Sequence, residues 1–180
     1  MPAQDVASAR AAEQAAAKAR RAERRAADAR RPAAPLEGRA WIGLDVVGTA
    51  VFVLTGALGA IAYQPLKSSW EAWPATVVSL VLFAGGCALF LLALFEGARR
   101  SRRSVFGVGG WFFLSGAADR RTSWLLNGAL GVQVVVGIAV AAARPFTALA
   151  FATLVPVFGL AVNGIWGARY GTFPDRPEEG

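Results

Sequence analysis

The chain contains no histidine, one cysteine and one methionine. Without histidine it lacks the side chain that most often serves as general base and metal ligand near neutral pH, which weighs against most hydrolytic and metal-dependent chemistry. The single cysteine, Cys87, permits neither an intramolecular disulfide nor a cysteine-based zinc site. Charge is scarce too. Asp, Glu, Lys and Arg make up 17% of the 180 residues and hydrophobic residues 55%, whereas soluble domains average about 25% charged. No nucleophile stands beside a base, and carboxylates are not clustered. The glycine-rich "GVGG" at 107–110 lacks the preceding strand, following helix and lysine of a phosphate loop. The chain therefore reads as non-enzymatic, with no catalytic, cofactor-binding or metal-binding residue.

What is present is apolar and segregated. Four runs, "WIGLDVVGTAVFVLTGALGAIAY" (41–63), "ATVVSLVLFAGGCALFLLALF" (75–95), "SWLLNGALGVQVVVGIAVAAA" (123–143) and "FTALAFATLVPVFGLAVNGIW" (146–166), interrupt the charged segments. Each approaches the ~20 residues that a helix needs to cross the hydrocarbon core. Trp41, Tyr63, Trp73, Trp124, Trp166 and Tyr170 mark run ends, where amphipathic rings favour the headgroup level. The expected fold is all-α: a polytopic membrane protein with four transmembrane helices spanning residues 41–170, and a C-terminal tail over 171–180.

The formal charge is +7. In a soluble protein that would suggest nucleic acid, but here the arginines flank apolar runs, and basic loops mark the cytoplasmic side. Nine Lys or Arg precede Trp41 and six lie between Glu96 and Arg121, whereas Arg144 is the single basic residue between the third and fourth runs. Both termini are thus expected in the cytoplasm. Residues 1–31 are rich in alanine, arginine and glutamate, good helix formers, with one large aliphatic residue, Val6. A solvated basic tail helix is expected, drawn to anionic headgroups, with a linker over 32–40 set by Pro32 and Pro35.

Between the second and third runs, 104–118 is apolar, yet it is too short to cross and is weakened by four glycines, Gly107, Gly109, Gly110 and Gly116. If it crossed, Arg99 and Arg121 would fall on opposite sides. An interfacial segment that dips and returns is expected, anchored by Phe106, Trp111, Phe112 and Phe113.

Within the runs, Asp45 is the sole ionisable residue, and intramembrane charge is a functional candidate because it is expensive. It has two readings. One is a structural carboxylate near the start of the first helix, paired with Arg39 or a loop arginine and favoured by the helix dipole. The other is a coupling group for an ion or solute. Asn127 is a second polar residue, early in the third run. Ala129, Gln133, Gly137 and Ala141 form one small-to-polar stripe suited to close helix packing, while Gly56, Ala60 and Gly85–Gly86 add further close-packing sites. Pro156 should kink the fourth run by freeing the carbonyl of Ala152, near Gly159 and Asn163 on one face.

The tail and the closing "RPFTALAFATLVPVFGLAVNGIWGARYGTFPDR" (144–176) resemble the small uncharacterised four-span integral membrane proteins of actinobacteria. The resemblance implies a multi-pass protein of the bacterial plasma membrane. It brings no activity, cofactor or site residue with it. The leading expectation is an accessory or assembly subunit whose partners are other membrane subunits or further copies of itself. The rival is an oligomeric small-solute or ion transporter using Asp45, Gln133, Pro156 and Asn163.

Overall fold

A computed structural model describes residues 10, 12–20, 22–23, 26, 35–62, 73–102, 104–105 and 107–174. The chain divides into two units, Met1–Ala33 and Ala34–Gly180. In the first, the described residues are helical and exposed, the state expected where no apolar face can drive burial.

The second unit is an all-α polytopic bundle, with no strand among the described residues. Its helices are α1 (Leu36–Ala62), α2 (Trp73–Ser101), the short α3 (Val108–Phe112), α4 (Arg120–Ala143), a 3₁₀ helix (Ala148–Leu154) and α5 (Pro156–Tyr170). Four stretches are long and apolar enough to span a membrane: Leu36–Ile61, Trp73–Ser101, Arg120–Ala143 and Ala148–Tyr170.

The elements begin and end where local chemistry dictates. Pro35 carries no donor and sets up the first turn of α1, where Glu37 favours the positive end of the helix. The helix therefore starts at Leu36, inside the expected 32–40 linker. Asp119 caps α4 by accepting a bond from the Thr122 N–H at 3.1 Å, moving that start to Arg120. Arg99 and Arg100 sit in the last turn of α2, where cations offset the negative helix end. At the far end of α1, the Arg144 guanidinium donates to the Ala60 carbonyl from Nε (3.3 Å) and Nη2 (3.1 Å).

The fourth span is broken rather than kinked. A 3₁₀ stretch ends at Leu154, and Pro156 begins α5, where its missing N–H has no intrahelical partner to lose. The carbonyl of Ala152 is not freed, because it accepts the Val155 N–H at 3.3 Å. This corrects the expected mid-helix kink.

α5 is the axis of the bundle. Over the best apolar window of each span, 56% of the fourth is buried against 17–28% of the other three. The backbone of α2 reaches α5 at Gly86, where a Cβ would lie 2.7 Å from the Phe158 nitrogen. Of the other expected close-packing glycines, Gly56 touches Val140 and Gly85 faces open space. One apolar cluster gathers Phe52, Ala75, Val140, Leu149, Ala152 and Val155; another gathers Leu114, Ala118, Leu126, Phe158, Val162 and Trp166.

Candidate functional site

Asp45 is fully buried, and α1 begins nine residues before it. It is therefore not the first-turn anion that a helix starting near Trp41 implied. Its partner is Gln133 on α4, not Arg39 or a loop arginine. The amide donates from Nε2 to Asp45 Oδ1 at 3.1 Å and to Thr49 Oγ1 at 2.7 Å. Thr49 lies one turn after Asp45, so both face α4.

The other end of the same amide completes the knot. Gln133 Oε1 accepts the Gly159 N–H at 3.1 Å. That N–H lies at the start of α5, where the carbonyl four residues back, Val155, accepts the Phe158 N–H at 2.8 Å. Pro156 starts the helix three residues earlier, so the break in the fourth span supplies the donor. Gly159 must be glycine for this approach, since a Cβ would lie 2.5 Å from Gln133 Oε1. One fully buried side chain thus ties α1, α4 and α5 together. The stripe that contains it faces inward: Gln133 and Gly137 are buried, and a Cβ on Gly137 would meet the Ala152 carbonyl oxygen at 2.7 Å.

A second tie lies one turn further along α5. Asn163 is fully buried and donates from Nδ2 to Asn127 Oδ1 at 3.1 Å. Asn127 Nδ2 in turn donates to the carbonyls of Ser123 and Phe113, each at 2.9 Å, holding the 104–118 segment to α4. Two polar atoms in these networks are buried with no hydrogen-bond partner, Asp45 Oδ2 and Asn163 Oδ1.

The 104–118 segment stays at one end of the bundle. Thr172 donates its N–H to the Ala117 carbonyl (2.8 Å), and the Val105 N–H is bonded to Pro174 O at 3.0 Å, so both flanks meet the chain beyond α5. The segment is not held by aromatic anchoring alone. Trp111 Nε1 donates to the Gly164 carbonyl at 2.9 Å, six residues before the end of α5, or about 9 Å into the bundle. Gly97 lies under the Trp111 ring, Gly164 under Phe112 and Gly167 against the Trp111 carbonyl. Phe112 is buried and stacks with Phe90, whereas Phe113 is half exposed. Trp111 and Phe112 therefore seat on protein. Phe106 lies outside the described residues. Trp166 is likewise buried, donating from Nε1 to the Gly38 carbonyl at 3.2 Å.

Sequence reading missed Thr49 and the glycine socket. Both had a signal: Thr49 repeats the face of Asp45 at four-residue spacing, and Gly97, Gly164 and Gly167 are small residues in apolar helices. No group of three or more metal-ligating side chains occurs among the described residues.

Comparison with known proteins finds no matching family model, no matching curated protein and no matching solved structure. The polar knot and the seated segment are therefore the basis for a functional reading.

Proposed function

We propose that this chain is a non-enzymatic integral membrane protein of the bacterial plasma membrane, acting as an accessory or assembly subunit of a larger membrane complex. The observation that carries this reading is the imbalance of burial. Three of the four spans keep most of their apolar surface outside the bundle, leaving long faces for other membrane helices. Association there proceeds by packing and interhelical bonds rather than by a hydrophobic drive. The internal polar groups, by contrast, are largely spent on one another. Gln133 is bonded at both ends of its amide, and Asn163 is bonded to Asn127. Both termini lie in the cytoplasm in this reading.

Affinity purification in mild detergent with mass spectrometry tests it. A stoichiometric membrane partner, lost when the chain is deleted, is expected. Recovery of the chain alone, combined with solute flux in proteoliposomes, would overturn it.

One observation favours the transporter instead. Asp45 Oδ2 and Asn163 Oδ1 are buried polar atoms without partners, and intramembrane carboxylates mark ion pathways in many carriers. In that case Asp45→Asn would abolish flux while leaving expression and partner recovery intact.

A further inference from the structure

The four arginines that gather where α2 and α5 end are not explained by the polar knot or by partner helices. An open cleft of about 910 Å³ lies there, lined by Arg99, Arg100, Arg102, Arg169, Glu96 and Phe95 among others. Two of the guanidinium groups are committed to the fold. Arg100 donates to the Ala168 and Gly171 carbonyls at the end of α5 and lies 5.2 Å from the centre of the Phe173 ring. Arg169 pairs with Glu96 at 3.2 Å and covers Trp41. Arg99 and Arg102 are different. Both are exposed, Arg99 over the Phe95 ring, and neither has a carboxylate partner among the described residues.

The charge count favours an anion. Among the described residues, Glu96 is the one carboxylate lining the cleft against four guanidiniums, and the negative ends of α2 and α5 offset roughly half a charge each. A surplus of about two positive charges is left. Its depth also suits a lipid. α2 has 29 residues and so runs about 43 Å, against a hydrocarbon core of about 30 Å. That length lets its last turns reach headgroup level, with the exposed Phe95 ring one turn before Arg99. Guanidinium forks match phosphate oxygens in geometry as well as charge.

We propose that this cleft binds a phosphate group, with Arg99 and Arg102 as its free ligands, and that the phosphate is the headgroup of an anionic phospholipid. The proposal does not depend on the accessory-subunit reading.

The test is native mass spectrometry on the full-length protein, titrated with phosphatidylglycerol and, separately, with phosphatidylcholine and inorganic phosphate. The unmodified chain should retain phosphatidylglycerol in preference to phosphatidylcholine. Arg99→Gln/Arg102→Gln should weaken that binding by about tenfold or more, since a hydrogen bond to a charged group contributes about a tenfold factor or more. Arg120→Gln/Arg121→Gln removes the same charge outside the cleft and should change it less than twofold. If inorganic phosphate alone binds, displaces the lipid and shows the same arginine dependence, the site stands and its ligand is a soluble phosphate. Equal loss in both double variants would reduce the effect to diffuse surface charge and overturn the proposal. So would lipid retention that ignores Arg99 and Arg102. Both of those side chains are exposed, and an unchanged melting temperature in the Arg99→Gln/Arg102→Gln protein separates lost binding from lost folding.

Discussion

Gln133 carries more of the bundle's polar bonding than Asp45, although Asp45 is the residue that the sequence draws attention to. Gln133→Leu removes bonds to Asp45, Thr49 and the Gly159 N–H at once and leaves buried groups unsatisfied. Interhelical bonds in membranes average about 0.6 kcal/mol, and an orphaned buried group costs about 1–3 kcal/mol. The expected loss is therefore about 2–4 kcal/mol, read as a lowered melting temperature in detergent. Asp45→Asn keeps an acceptor oxygen for Gln133 Nε2 and should shift stability by less than about 1 kcal/mol. If the aspartate variant proves the more damaged of the two, the knot is organised around a charge and not around the amide. Asp45 was visible as a lone charge in an apolar run. Its partner was not, because the residues are 88 apart in sequence, and no local pattern encodes which helices become neighbours.

At the scale of elements, the 104–118 segment and the broken fourth span differ most from a simple bundle. That the segment forms no helix of spanning length was legible, since it is short and glycines interrupt it. Its seat was not. Trp111→Ala should remove the bond to Gly164 and the packing on Gly97, destabilising the protein by about 2–4 kcal/mol, near the low end for large-to-small changes because the ring is only half-buried. Faster trypsin cleavage between Arg99 and Arg121 in the folded protein is the specific readout. Cleavage unchanged from the unmodified chain would mean that the segment is held without the tryptophan. Pro156 behaves oppositely. As the first residue of α5 it forfeits no helical bond, so Pro156→Ala should alter stability by no more than about 1 kcal/mol. A mid-helix proline would instead give a gain of about 3 kcal/mol on replacement, and a rise in melting temperature of that size would restore the kinked-helix description.

For the whole molecule, sidedness and the independence of the tail can be tested together. Reporters fused after Arg144 should read as extracytoplasmic, and those fused after Arg102, after Arg121 and beyond Pro174 as cytoplasmic. Opposite readings after Arg102 and Arg121 would make 104–118 a fifth span. Deleting residues 1–31 should leave insertion and melting of the bundle unchanged, because Met1–Ala33 forms a unit separate from Ala34–Gly180. A lowered melting temperature on deletion would show that the tail contributes to the bundle.

The sequence by itself determined the solvent of this protein and the number of its candidate spans, because four apolar runs of spanning length have no stable home in water. It also determined the ends: Pro35, Asp119 and Pro156 act on the backbone within a turn of themselves. Only the tertiary structure decided what those helices share. The central place of α5, the amide of Gln133 joining three helices, the socket under Trp111 and the arginine cleft each depend on residues far apart in the chain. Their meeting is set by close packing between helices, where the absence of a side chain at Gly97, Gly159 or Gly167 matters as much as any group present.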